Sequence, residues 1–287
     1  MIEIIVLISF FALGFSHVDY SLYSPFAPNG MEGILSAALV GFLSMVGWDV
    51  IVDAGEEMKN PGRTIPLAIL SSIIIVLILY AGLLFVSTGV VHWQELGASK
   101  IPVALASQQF LGDIGPTLVS IVIVIALTAT ANAFIVSISR TAFAMGRNGF
   151  FPKKIGFVHP RSQTPVWAVL LGVSIQILFT LVSSINIAVK ATGFLYLLTF
   201  IFTMISFFIS RKKASAEERS KQFSVPFYPF LPGLALVICI SLLVPVGGSG
   251  IFAGLIWLFI GMVIYSFRQK SWKSFYKKQK EKRFSVQ

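Results

Sequence analysis

The sequence predicts an all-α membrane protein that crosses the bilayer several times. Of its 287 residues, 56% are hydrophobic and only 12% are charged, which is about half the charged fraction of ordinary soluble domains. The mean hydropathy is +0.85, and the hydrophobic residues form long runs with few charges. Such runs are typical of transmembrane helices, because a helix satisfies its own peptide groups within lipid.

Eight apolar segments are predicted, and the first of them is partial. Residues 2–15 would form a helix of about 21 Å, which is too short for a hydrocarbon core of roughly 30 Å, so we interpret them as the end of a helix. The seven full spans are expected at about 31–55, 66–91, 117–139, 165–184, 191–210, 227–246 and 249–267. Residues 1–267 are therefore predicted to form one transmembrane domain, and residues 268–287 a basic tail.

The span at 31–55 contains two acidic residues, Asp49 and Asp53. An ionisable group within a membrane is costly unless it has a partner or serves a pathway. Gly47 lies just before Asp49, and glycine is a poor helix former, so one interpretation is a helix interrupted in mid-membrane. Secondary transporters build substrate sites at such interruptions. The alternative is that Gly47 permits close helix packing and Asp49 caps a helical turn.

The span at 117–139 carries polar side chains on one face. Thr128, Asn132, Ile135 and Ser139 share that face, because residues four apart lie above one another on a helix. We expect the polar strip to face the interior of the helix bundle rather than lipid. There it would either line a solute path or form hydrogen bonds between helices alone.

The basic residues distinguish the two sides of the membrane. All of the 22 Lys and Arg residues except Lys100 and Lys190 lie on alternate connections between the spans, and cytoplasmic loops are the ones enriched in such residues. The amino terminus, the loop after Asp53 and the tail are therefore predicted to be cytoplasmic. This placement explains the net charge of +10 without a nucleic-acid partner. The tail either contacts anionic lipid or serves only as a solvated orientation signal.

The sequence contains no motif of an enzyme or a cofactor site. Its three histidines are far apart and its single cysteine, Cys239, lies in an apolar run. It has neither a glycine-rich phosphate loop nor an HExxH metalloprotease motif. We therefore predict no catalytic activity, no cofactor, no metal and no intrachain disulfide.

Two motifs resemble amino-acid permeases of the amino acid, polyamine and organocation (APC) superfamily. The first, LSMVGWDVIVDAGEEMKNPGRTIP at 43–66, resembles the sixth transmembrane segment of those permeases and the loop that follows it. The second resembles their loop between the eighth and ninth segments, and it consists of Arg140, Arg147, Gly149, Pro152, His159, Pro160, Thr164 and Pro165. The order of the motifs is that of the family, so the chain corresponds to the carboxy-terminal portion, from within the fifth helix to the twelfth.

This resemblance implies a fold. Family members consist of two inverted repeats of five helices, in which the first and sixth helices are broken, followed by two further helices. The chain would then be an incomplete inverted-repeat (LeuT-like) transporter fold without its first four helices. We interpret it as the product of a truncated or split gene, or as an incomplete record, whose missing amino-terminal half would be a partner.

The resemblance also implies amino-acid transport across the plasma membrane by alternating access, with symport or antiport left open. The substrate site would comprise Phe42, Leu43, Ser44, Met45, Val46, Gly47, Trp48 and Asp49. Leu43 replaces the aromatic gate of many members, although Phe42 is adjacent. Asp49 would bind a substrate amine, form a hydrogen bond across the break, or carry a proton. The amide groups at the start of the inner half-helix would bind an anionic group of the substrate.

Further residues are candidates for ion coupling or for the solute pathway, namely Glu3, Asp53, Thr128 and Asn132. Glu3 aligns near a position that is lysine in many sodium-independent members. Two other functions are kept as alternatives. One is a membrane-embedded interaction or relic protein that does not transport, and the other is a permease for another solute, such as a polyamine or a nucleobase.

Overall fold

The computed structural model describes residues 2–53, 55, 58–182, 184–213 and 225–284. The side chains of Asp49, Asp53, Val182 and residues 268–284 lie outside that description, as does the side chain of Ile2. Within the described residues the secondary structure is helical, apart from an isolated bridge between His159 and Thr164. The all-α class predicted from the sequence is therefore confirmed.

We number the α-helices α1 to α11 in chain order. They are α1 (Ile2–Gly14), α2 (Gly30–Ser44), α3 (Asp49–Asp53), α4 (Pro61–Val90), α5 (Trp93–Ala98), α6 (Pro102–Leu111), α7 (Ile114–Arg147), α8 (Val166–Val182), α9 (Ile185–Lys213), α10 (Phe230–Ser241) and α11 (Gly247–Phe284). Two 3-10 helices, Phe15–His17 and Tyr20–Tyr23, lie between α1 and α2.

Four helices in the described part of the chain are long and apolar enough to cross a membrane, namely α4, α7, α9 and the Gly247–Phe267 part of α11. Shorter apolar helices occupy the other predicted segments: α1, α2, α8 and α10. The span expected at 227–246 is thus a helix of only 12 residues. It is followed by turns at 242–246, and Gly247 then has a φ of 68°, a left-handed conformation that favours glycine.

The chain forms two compact units. The first comprises Met1–Ile34 and Ser44–Asn132, and the second comprises Leu35–Leu43 and Ala133–Gln287. The core of the first unit joins α1, α4 and α6. Its buried residues include Phe10 and Val86, and the ring of Phe10 meets that of Phe110 edge-on, with 5.0 Å between the ring centroids.

The connection between α1 and α2 folds against the end of α4. The hydroxyl of Tyr23 donates to the backbone oxygen of Phe85 over 2.7 Å, and the backbone N–H of Asp19 donates to the oxygen of Gly89 over 2.8 Å. Burial raises the pKa of Tyr23. A Cβ at Gly89 would overlap the Tyr23 hydroxyl and lie 2.8 Å from Val18 Cγ1, so glycine is what permits this close approach.

The core of the second unit joins α9, α10 and α11. Leu197 and Val246 are fully buried there, and the chain's single cysteine, Cys239, is a buried member of the same core. Gly250 and Gly254 lie four residues apart on α11, the spacing of close helix packing in membranes. A Cβ at Gly250 would lie 2.6 Å from Lys190 Cβ, and one at Gly254 would overlap the ring of Phe194. Both contacts place α11 directly against α9.

The connection between α7 and α8 contains a close approach of two backbone segments. A Cβ at Gly156 would lie 2.6 Å from the nitrogen of Arg147 and 2.7 Å from the carbonyl carbon of Gly146. The backbone N–H of Phe150 also donates to the oxygen of Met145 over 2.9 Å. This part of the second permease-like motif is therefore a compact folded segment rather than an extended loop.

Candidate functional site

The helix predicted to be interrupted at Gly47 is interrupted in the structure. Helix α2 ends at Ser44, helix α3 begins at Asp49, and residues 45–48 are not helical. Gly47 has a φ of 136°, a value that side-chain-bearing residues rarely adopt. The chain then turns into α3, where the backbone N–H of Ile51 donates to the oxygen of Trp48 over 3.0 Å. Glycine at position 47 is thus what the break requires.

A hollow of about 250 Å³ lies beside this break, within the first unit. One wall is the break itself, from Ser44 to Trp48, continued by Ile51 of α3. The opposite wall is one face of α4, formed by Ser72, Ile73, Val76 and Tyr80. Both walls combine apolar side chains with a small number of polar groups, an arrangement typical of small-molecule sites.

The α4 wall was not predicted from the sequence. Ser72, Val76 and Tyr80 recur at four-residue intervals, which places them on one helical face. The hydroxyl of Ser72 donates to the backbone oxygen of Ile69 over 2.9 Å, so it is held against its own helix. The signal for this face is the recurrence of serine, valine and tyrosine at four-residue intervals within the span predicted at 66–91.

Two of the predicted substrate residues do not line the hollow. The ring of Phe42 packs edge-on against that of Phe200, with 5.5 Å between the centroids, and Leu43 lies against Gly193. Both residues thus pack against α9 in the second unit. The hollow instead uses the five predicted residues from Ser44 to Trp48. The side chain of Asp49, the eighth candidate, lies outside the described residues.

The structure brings none of the described coupling or pathway candidates into the hollow. Glu3 is half-buried on α1, and the Asp53 side chain lies outside the described part. Thr128 and Asn132 are exposed on α7, and the hydroxyl of Thr128 donates to the backbone oxygen of Val124 over 2.8 Å. Their roles therefore stay predictions. No group of His, Cys, Asp and Glu side chains with metal-site geometry occurs among the residues described.

The fold and the site together define a multi-pass α-helical membrane protein with an interrupted helix beside a small hollow. Comparison with known proteins then gives the family. The amino acid permease family model matches residues 1–281. The chain belongs to the amino acid permease family, as the two sequence motifs indicated.

Individual relatives have different named solutes. The chain is 31% identical over 266 residues to the branched-chain amino acid permease BcaP of Bacillus subtilis, covering 92% of this chain and 57% of that protein. It is 28% identical to the methylthioribose transporter of the same organism, with the same coverage of both chains. It is 29% identical over 209 residues to the serine/threonine exchanger SteT, covering 70% of this chain and 46% of the exchanger. The chain thus spans less than two thirds of the length of these relatives.

Proposed function

We propose that the protein takes part in the transport of a neutral amino acid with an aliphatic side chain. The observation that carries this proposal is the hollow between the helix break and α4. Its volume of about 250 Å³ is below the roughly 300–1,000 Å³ of sites for drug-sized ligands, which suits a small metabolite. The named solute of the Bacillus BcaP relative, branched-chain amino acids, agrees with the apolar residues of the walls.

The two walls would bind different parts of the substrate. Peptide groups at an interrupted helix are suited to the charged ends of an amino acid, since transporters use unwound backbone in this way. Ile73 and Val76 of α4 would meet the aliphatic side chain, and burial of that side chain contributes about 0.8 kcal/mol for each CH₂ group. Alternating access would then expose the hollow to each side of the membrane in turn.

The location is part of the same proposal. A plasma-membrane location follows from the resemblance to amino-acid permeases, and the Lys and Arg distribution supports a cytoplasmic amino terminus and tail. The coupling ion is left open between a proton, sodium and exchange.

The proposal is tested with the purified chain in liposomes, where binding and uptake are measured separately. Trp48 lines the hollow, so its fluorescence should change on addition of leucine or valine and not in the Trp48→Phe variant. Uptake of labelled leucine, serine, arginine and methylthioribose into the same liposomes then ranks the solutes. A correctly folded chain that neither binds nor transports any of these amino acids would contradict the proposal.

Val76 is expected to set the size of the accepted side chain. In the Val76→Ala variant, the ratio of kcat/KM for phenylalanine to that for valine should rise about tenfold, because removal of wall atoms makes room for a larger substrate. The matched control is Ile75→Ala, which removes an exposed side chain next in sequence that is not part of the wall. The assignment of this wall fails if both variants change the ratio equally or neither changes it.

A second function, a membrane-embedded interaction protein, is favoured by a different observation. Thr128 and Asn132 are exposed on α7, a helix with the length and composition of a membrane span, and polar groups rarely face lipid. A partner helix would cover them. Binding of amino acids without uptake, together with uptake restored by a co-reconstituted partner protein, would separate an incomplete transporter from a protein that only interacts.

A further inference from the structure

A second cavity of the protein lies far from the helix break in sequence and belongs to the second unit. Its volume is about 280 Å³, and its walls come from the end of α7, the α7–α8 connection, α8 and α11. Its lining is apolar and aromatic, and the residues used below are Phe150, Phe151, Leu171, Trp257, Gly261 and Tyr265. We call it the interfacial cavity.

The position of the cavity along α11 places it at the edge of the hydrocarbon layer. The apolar part of α11 ends at Phe267, and Arg268 is the first of the basic residues that follow. The cavity residues Trp257 and Tyr265 lie within the last three turns before that point. The ring of Tyr265 stacks with that of Phe150 at a centroid separation of 6.1 Å. Tryptophan and tyrosine are enriched where a membrane protein passes from lipid to water.

Basic residues flank the cavity on the water side. Lys153 and Lys154 follow the lining residue Phe151 by two and three positions and are exposed, and Arg147 precedes Phe150 at the end of α7. The segment 140–165 contains five basic residues and no Asp or Glu. An apolar cavity is thus bordered by exposed basic side chains, which are complementary to a ligand with an apolar chain and an anionic head.

We propose that the interfacial cavity binds an anionic phospholipid. One acyl chain lies between α8 and α11, against Leu171 and Trp257, and the phosphate lies near Lys153 and Lys154. An α-helix is about 10 Å across with its side chains and is too wide for a cavity of this volume, whereas a flexible acyl chain fits. Basic sites on the cytoplasmic side of membrane helices are known to hold acidic head groups. This site is independent of the amino-acid hollow.

The direct test measures quenching of Trp257 fluorescence by lipids that carry bromine on an acyl chain. The chain's other tryptophans, Trp48, Trp93, Trp167 and Trp272, are replaced with phenylalanine. The protein is placed in nanodiscs that contain brominated phosphatidylglycerol or brominated phosphatidylcholine at equal mole fractions. We expect half-maximal quenching at a several-fold lower fraction of phosphatidylglycerol. Equal curves for the two lipids would overturn the proposal.

A cavity-filling variant separates the cavity from general contact with lipid. A Cβ at Gly261 meets no atom within 4 Å, so Gly261→Phe can place its ring in the cavity without displacing the backbone. Gly233 on α10 is equally open and is not a cavity residue, so Gly233→Phe is the matched control. Gly261→Phe should remove the preference for phosphatidylglycerol, and Gly233→Phe should retain it. Retention of the preference in Gly261→Phe would contradict the proposed site.

A charge variant tests the position of the head group. Lys153→Ala combined with Lys154→Ala should bring the two quenching curves together. The control pair Lys212→Ala and Lys213→Ala, at the end of α9, removes two other exposed charges and should leave the curves apart. If both pairs had the same effect on the quenching curves, the preference for phosphatidylglycerol would arise from general surface charge, and the proposed head-group position would be wrong. Quenching that decreases as the protein-to-lipid ratio rises would identify a second copy of the chain as the occupant, and would also overturn the lipid site.

Discussion

Replacement of Gly47 with alanine is expected to reduce amino-acid uptake about tenfold or more while the protein remains folded. Gly47 has a φ of 136° at the break between α2 and α3. A side chain at such a φ costs on the order of 1–3 kcal/mol of strain, and a change of 1.4 kcal/mol corresponds to a factor of ten. The added methyl group meets no atom within 4 Å, so the effect arises in the backbone and not from a clash.

The measurement is the initial rate of uptake of labelled leucine, together with the elution profile of the purified protein in detergent. The control is Gly97→Ala on α5, where a Cβ is equally unobstructed and the backbone is helical. Alanine favours a helix by about 1 kcal/mol over glycine, so this variant should be at least as stable as the original. Uptake by Gly47→Ala at the rate of Gly97→Ala would show that the shape of the break is not needed.

Replacement of Gly156 with valine is expected to prevent most of the protein molecules from folding. A Cβ at this position would lie 2.6 Å from the nitrogen of Arg147 and 2.7 Å from the carbonyl carbon of Gly146. These are backbone atoms, which cannot rotate away as the tip of a side chain can. Overpacking of this kind costs about 1–3 kcal/mol and sometimes more, and valine adds two methyl groups beyond the Cβ.

The yield of monodisperse protein in detergent and its unfolding temperature report this effect. Gly62→Val is the control, because Gly62 is exposed at the start of α4 and a Cβ there meets no atom within 4 Å. Valine is a better helix former than glycine, so this variant should be at least as stable as the original. If Gly156→Val had the same yield and stability as Gly62→Val, the close approach of the two backbone segments would not exist in solution.

The interruption of the second span could be predicted from the sequence because its cause is local. Two residues decided it, a glycine and an acid within an apolar run, and the structure has the break there, from Ser44 to Asp49. The α4 wall of the hollow could not be predicted in this way. Ser72 and Val76 are ordinary residues of a membrane helix, and their role depends on which helix packs beside the break, a long-range property that one sequence does not specify.

Helix boundaries and the loops were less well predicted. Residues 92–112 lie between the spans predicted at 66–91 and 117–139, where a loop is expected, but most of them form α5 and α6. His92 caps α5 through its side chain, and Pro102 begins α6. Both helix-start signals are present in the sequence, but the polar composition of the segment favours a loop. Helix α7 continues to Arg147, beyond the predicted end at 139, because a helix can extend into water after its apolar part ends.

The buried position of Cys239 has a practical consequence. It is the only cysteine in the sequence, and it lies in the core formed by α9 and α10. In the Ser72→Cys variant, membrane-impermeant maleimides should therefore label the new thiol selectively. Labelling from one face of the bilayer and then from the other would show toward which compartment the hollow is open. The native protein, which has Cys239 alone, is the unlabelled control.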